Sequence, residues 1–338
     1  MSMALLGARE ETAKEMEKTL GVTSLRAATH NIYKDLIHGL KSVHDVVLNS
    51  GNAIFLNPRF EIREQYTNDV AMNYYSKAGK FDLSAPEKTI NDYVAMETNN
   101  MIKDVLPEGS ITIDTTMIVV NTLFFNGTWE TPFPKDRTRQ RAFHNTGGEV
   151  SKVDMMHSAM TIKYKKDDEL NVQVAELPFK GKRFGFYIVL PETADDISSL
   201  ESLLETPDNV DRLFSGLKSH LTIVSIPKFK TTTTLDLKRD LISLGMVKAF
   251  SSVRGVADFS GIRSKGDIYI SAVIHKAKLK VTETGTVAAA TTEQTQTLSK
   301  SVDSVSQPSL EFVADHPFLY FLRDNKSGQI LFQGKFSN

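Results

Sequence analysis

The sequence predicts a single α+β domain with large sheets, on three observations. Helical periodicity dominates the first eighty residues, and strand-like apolar runs dominate from Asp114 onward. Before residue 283 there is no linker-like shift in composition and no internal repeat. A chain of 338 residues with 41% apolar and 24% charged side chains can bury a large core. Its net charge of −1, from 40 basic and 41 acidic residues, gives no reason to expect nucleic acid or an anionic membrane as partner. No apolar run approaches the roughly eighteen residues needed to span a bilayer. The absence of cysteine excludes disulfides, thiolate metal sites and a cysteine nucleophile.

The elements follow in order. "MSMALLGAREETAKEMEKTLG" begins mid-helix, without a capping residue and without the regions of a signal peptide. "TAKEMEKTL" and Leu25 to Leu40 are helical, whereas "VVLNSGNAIFLN" (46–57) is strand-like around a Ser-Gly-Asn turn. A helix covers Arg63 to Tyr75, and another opens with Ser84 as N-cap and Pro86 in its first turn. "TMIVVNTLFFNGTW" reads as a strand covered on both faces. "VQVAELPF" (172–179), "RFGFYIVLP" (183–191) and "HLTIVSIPKFKTTTT" (220–234) are further strands. The helix "LDLKRDLISLGM" leads to the long strand 267–284, and "PFLYFLRD" and "GQILFQGKF" form a hairpin around "NKSG".

No nucleophile elbow, dinucleotide fingerprint, P-loop or H-E-x-x-H pair occurs, and the eight histidines show no metal-ligand spacing. An enzymatic reading has no positive support, and no cofactor or metal is implied. Arg26, His30, Lys34, His38 and Lys41 fall within about 120° on the second helix. Such a stripe could bind a glycosaminoglycan, more strongly where the histidines charge. The preferred reading is a solvated face opposite Ile32, Leu36 and Leu40. "KDRTRQR" (135–141) and "KYKK" (163–166) also read as solvated, and the sequons at Asn126 and Asn325 hint only faintly at secretion.

The segment Val281 to Phe312, "VTETGTVAAATTEQTQTLSKSVDSVSQPSLEF", holds a single basic residue, Lys300. Loops of this length inside a domain are usually functional or disordered. In an extended conformation one parity collects Thr286, Ala288, Ala290, Thr292, Gln294 and Gln296, all uncharged. The other collects Val287, Ala289, Thr291, Glu293, Thr295 and Thr297, including the only charge. The segment is thus compatible with becoming a strand, and equally compatible by composition with a linker.

"VIHKAKLKVTETGTVAAATT" followed by "FVADHPFLYFLRDNKSGQILFQGKF" resembles the serpin family. "VNTLFFNGTWETPF" (120–133), "VDMM" (153–156), "VAELPFKG" (174–181) and "IPKFKTTTTLDLKRDLISLGM" (226–246) match other serpin segments in order. The resemblance spans 1–338 and implies three β-sheets, eight or nine helices and an exposed reactive loop at about 283–308. It implies that the family's first helix and first strand are absent, with the serines that would join Asn121 and His275 in a cluster controlling sheet opening. It further implies a hinge at Glu283, Thr284, Gly285 and Thr286, followed by Val287, Ala288, Ala289, Ala290, Thr291 and Thr292. Val287 departs from the glutamate often found there. Lys228 and Glu283 match a salt-bridged pair beside Trp129 at the top of the main sheet.

The implied function is inhibition of a serine protease. The protease cleaves the loop and is trapped as a covalent acyl-enzyme while the loop inserts into the main sheet. Family spacing puts the scissile bond at Ser299-Lys300. Side-chain chemistry prefers Lys300-Ser301 and a trypsin-like target, while Leu298 or Ser299 would suit chymotrypsin- or elastase-like proteases. The alternative is a non-inhibitory serpin-fold binding or chaperone-like protein. The family further implies an extracellular monomer, with cytoplasmic placement as the alternative.

Overall fold

The computed structural model describes the chain except residues 26–27, 42–45, 264–266 and 287–309. The chain divides into two compact units, 1–125 with 231–279, and 126–230 with 280–338. The described residues hold eight α-helices and fourteen strands. In chain order these are α1 Ser2–Gly7, α2 Glu10–Thr19, α3 Thr29–Lys41, β1 Val46–Ser50, β2 Ala53–Leu56, α4 Glu64–Tyr74, β3 Lys77–Lys80 and α5 Pro86–Glu97. Then come β4 Met117–Gly127, β5 Arg139–His144, β6 Val150–Asp167, β7 Val172–Pro178, β8 Phe184–Pro191, α6 Ile197–Leu203 and α7 Pro207–Leu213. The last are β9 Lys218–Pro227, β10 Phe229–Asp236, α8 Lys238–Ser243, β11 Ile270–Val281, β12 Leu310–Val313, β13 Phe318–Asp324 and β14 Ile330–Phe336. Among the described residues no helix is long and apolar enough to cross a membrane.

In the first unit the sheet order is β10-β11-β4-β2-β3, with β1 also on β4. β11 and β4 pair in parallel from Ile270↔Met117 to Lys278↔Phe124. Their apolar runs are explained by what covers them. Ile54, Leu56, Met117, Val119, Ile270 and Val273 pack with Met16, Tyr66, Val70 and Phe250 in one buried cluster. Each such side chain contributes about 1.5–3 kcal/mol when fully buried. α5 begins one residue later than the sequence suggested, with Ala85 as its N-cap and Pro86 in its first turn. Ser84 is not the cap, because its hydroxyl donates to Asp82 Oδ1 at 2.8 Å.

The solvated face expected along α3 is not arranged as the helical wheel implied. His30 Nδ1 lies 2.5 Å from the Tyr74 hydroxyl, and Tyr33 and Ile37 pack on the core. Ile32, expected on the packed side, is 46% exposed. Burial lowers the His30 pKa, with Arg9 adding to the effect, so this ring resists charging. Lys34 is half-buried and His38 exposed, while Arg26 and the side chain of Lys41 lie outside the described residues.

In the second unit the order is β12-β9-β6-β7-β8-β13-β14, with β5 on β6. Pairing runs unbroken through the 18-residue β6. Its first part carries β5 and its remainder β9 and β7. What the resemblance divides into a second and third sheet is therefore one hydrogen-bonded network here. In the "KYKK" run Lys163 and Lys166 are exposed, as expected, and pair with Glu176 and Glu192 at 3.0 and 3.7 Å, whereas Lys165 is largely covered and pairs with Asp167 at 3.0 Å. The Asn325 sequon amide is also occupied, donating to Glu176 at 2.7 Å and accepting from the Tyr187 hydroxyl at 2.7 Å.

The β13–β14 hairpin is anchored by a fully buried carboxylate. Asp324 accepts from Arg183 Nε at 2.9 Å and Nη2 at 2.8 Å, and from the Ser327 hydroxyl at 2.8 Å. Burial alone would raise the Asp324 pKa, but Arg183 and Ser327 outweigh it and the pKa is lowered. The stabilisation is therefore present above the ordinary carboxylate pKa and is lost as pH falls through the folded one. Asp324→Asn should reduce unfolding free energy by about 3 kcal/mol at pH 7, measured in urea. The gap from the parent protein should narrow below about pH 4; a gap unchanged down to pH 3 would contradict the assignment.

Candidate functional site

Gly285 sits where no side chain could. Its φ is +148°, and a Cβ there would lie 1.9 Å from the Gly127 carbonyl oxygen. The approach is possible because the chain reverses sharply just beforehand. The Thr282 N–H donates to Gly285 O at 2.7 Å and the Gly285 N–H returns to Thr282 O at 3.2 Å. The Thr282 hydroxyl closes the turn at 2.8 Å from the same Gly285 oxygen.

Beyond the turn, Thr286 is bound to Gly127, next to an isolated antiparallel bridge between Thr128 and Gly285. Its N–H donates to Gly127 O at 2.8 Å, and its hydroxyl oxygen accepts the Gly127 N–H at 2.7 Å. Thr286 is fully buried. The residues leading into the turn are held as tightly. The Trp129 N–H donates to Thr284 O at 3.0 Å and the Phe133 N–H to Glu283 O at 2.8 Å. The Trp129 indole N–H donates to Thr282 O at 2.8 Å, while its ring stacks on Phe179 at 4.5 Å.

Glu283 supplies the charge at this corner. Its carboxylate lies 3.1 Å from Lys228 Nζ and accepts from the Thr138 hydroxyl at 3.0 Å. Burial would raise its pKa, but its own backbone N–H, Lys228 and Thr138 lower it, so it stays ionised. Glu283, Thr284, Gly285, Thr286, Lys228 and Trp129 thus converge on one place. Thr138 and Gly127 complete it and were not singled out by sequence. Thr138 lay within a basic run, and Gly127 within a sequon.

A second polar group lies in the first unit. His275 and Asn121 are register partners on β11 and β4. His275 Nδ1 lies 2.5 Å from Asn121 Oδ1, and Asn121 Nδ2 donates to Asn52 Oδ1 at 2.5 Å. Burial lowers the His275 pKa, leaving a neutral ring that donates from Nδ1. Asn52 was read only as a turn residue, and nothing in the sequence ties it to positions 121 and 275. Two lysines beside this group hold the segment after α5. Lys276 Nζ donates to the carbonyls of Lys103 and Asp104, both at 2.9 Å, and Lys278 Nζ to that of Met101 at 2.8 Å.

Among the described residues no cluster of histidine and carboxylate could hold a metal. The assembled chemistry is hydrogen-bonded backbone poised at a turn. Val287, Ala288, Ala289, Ala290, Thr291, Thr292, Leu298, Ser299, Lys300 and Ser301 lie outside the described residues.

The human Serpin B4 is 32% identical over 361 residues, covering 100% of this chain and 90% of that protein. A serpin-like protein of Methanosarcina acetivorans is 33% identical over 348 residues, covering 99% and 78%. The structure of Serpin48 from the insect Tenebrio molitor superposes with a TM-score of 0.86 at 30% identity, covering 100% and 88%. That of human thyroxine-binding globulin superposes with a TM-score of 0.86 at 25% identity, covering 98% and 87%. The family model described as serpin (serine protease inhibitor) matches residues 1–338, and the chain belongs to the serpin family.

Proposed function

We propose that the chain inhibits a serine protease as a suicide substrate. The loop 283–308 is cleaved, the protease is held as an acyl-enzyme, and the freed loop enters the main sheet between β4 and β11. The observation that carries this reading is the state of the hinge. Thr286 already exchanges two hydrogen bonds with Gly127 at the end of β4, yet β4 and β11 pair directly with each other along Ile270 to Lys278. On this reading Thr286 is the first residue of the strand to be added, and the ladder that would part to admit the rest is closed. Serpin loop insertion is itself the standard instance of strand addition to an existing sheet. About a dozen new ladder bonds at roughly 1 kcal/mol each supply on the order of 10 kcal/mol, comparable to a domain's whole stability.

The uncharged parity that begins with Thr286 supports insertion, since it asks the core to accept only threonine, alanine and glutamine. Lys300 followed by Ser301 supports a trypsin-like target. The acyl-enzyme is chemistry of the protease, and this chain acts as its substrate rather than as a catalyst. The second reading is a non-inhibitory binding protein. The fold's similarity to thyroxine-binding globulin, solved with its hormone, favours that alternative. Extracellular placement remains part of the proposal and rests on the family alone.

Incubation with trypsin, chymotrypsin and elastase should give an SDS-resistant complex with trypsin and a released peptide beginning at Ser301. Clean cleavage by all three without a complex would favour the binding protein. Thr286→Arg should abolish the complex while leaving cleavage intact, because a cation cannot replace the buried hydroxyl that receives the Gly127 N–H. Retained trapping by that variant would contradict the parity argument. Cleavage within the loop should also raise Tm, on the order of 20 °C; an unchanged Tm in calorimetry would refute insertion.

A further inference from the structure

We propose that His316 is held as a doubly protonated imidazolium that pins the corner between β12 and β13, and that deprotonating it frees β12. β12 is the strand that receives the far end of the 283–308 segment. This pin is a property of the fold whether or not the chain traps a protease.

The geometry requires two protons. His316 Nδ1 lies 2.9 Å from Asp315 Oδ1, and Nε2 lies 2.9 Å from the Pro191 carbonyl oxygen. A carbonyl and an ionised carboxylate can only accept, whereas neutral imidazole has one N–H to give. Both contacts are hydrogen bonds only in the cation. The two partners' shifts agree with this: His316 holds the Asp315 pKa down. Burial alone would lower the His316 pKa, but Asp315, the Pro191 carbonyl and Glu192 outweigh it and raise it.

Every nearby titratable group comes from a different element. Glu192 follows β8 and is 3.7 Å from Lys166 of β6, which offsets part of its charge. His144, closing β5, has Nδ1 3.8 Å from the other Asp315 oxygen.

The corner needs the pin because β12 has little else. Among the described residues it is a four-residue edge strand paired with β9 alone. The Ala314 N–H donates to Ser225 O at 2.9 Å, and Asp315 O accepts the His144 N–H at 2.8 Å. Pro317 next in sequence offers no N–H and biases His316 toward extended backbone. The corner is therefore tied to β9 and β5 through backbone hydrogen bonds and to the end of β8 through the His316 ring.

The sign follows from linkage. A pKa raised on folding gives stabilisation that is complete below about 6.5 and is lost as pH rises through the folded value. Each unit by which the folded value exceeds 6.5 corresponds to about a tenfold change in the opening constant of the corner.

Long-range 1H–15N spectra of the intact chain between pH 6 and 9 test the protonation directly. The expected result at pH 6 is a His316 ring with both nitrogens protonated, titrating above 6.5 and losing its signal in His316→Gln. Amide exchange of Leu310 to Val313, corrected for intrinsic rates, should accelerate at least threefold between pH 6 and 8.5. In His316→Gln it should be fast at both. A single neutral tautomer at pH 6, or a midpoint at or below 6.5, overturns the proposal. So does a pH response of β12 that is the same in parent and variant. Should the variant fail to fold, the parent spectra decide alone, with Asp315→Asn expected to bring the midpoint back toward 6.5.

Discussion

The contact between Gly285 and the Gly127 carbonyl governs the geometry of the candidate site. A backbone without a side chain, at φ +148°, lets the chain fold back within van der Waals reach of another backbone. Thr286 can then exchange its hydrogen bonds with Gly127, and Trp129 can close over Thr282 and Thr284. Any Cβ at 285 would push the two segments apart and leave those polar groups buried and unsatisfied, at a cost of about 1–3 kcal/mol each.

Buried carboxylates recur as the fastening of the second unit, and each is satisfied by more than one donor. Glu283 has Lys228 and Thr138, Asp324 has Arg183 and Ser327, and Asp167 has Lys165, Arg212 and the Leu170 N–H. A single cation seldom offsets the desolvation of a buried carboxylate, and the additional hydrogen bonds close the difference. Glu283 is the instance that lies at a turn rather than within a hairpin or loop. The other two fasten structure that stays in place, whereas this one fastens structure that the proposed mechanism must move.

The first unit handles polarity in another way. Neutral groups (His275, Asn121 and Asn52) share hydrogen bonds at the seam of β4 and β11. Parting that seam exposes no buried charge, and the neighbouring tethers from Lys276 and Lys278 go to carbonyl oxygens that water can replace. The proposed opening of this sheet would break ties of this exchangeable kind.

Much of the fold was legible in local sequence. Apolar runs gave β4, β8 and β11, "NKSG" gave the β13–β14 turn, and the serpin resemblance brought Lys228, Glu283, Trp129 and the residues of the hinge into view. Other features depended on partners distant in the chain. The 18-residue β6 was missed because its lysines broke the apolar pattern, and the one largely covered among Lys163, Lys165 and Lys166 is Lys165, paired with Asp167. The buried face of α3 was misjudged because His30 finds the Tyr74 hydroxyl 44 residues away. Thr138 and Asn52 became site residues only through Glu283 and Asn121. Sequence by itself determined where backbone could extend, turn or coil, since those preferences are settled within a few residues. Which polar groups could be buried was decided by tertiary structure alone, because burial depends on a partner that local pattern does not encode.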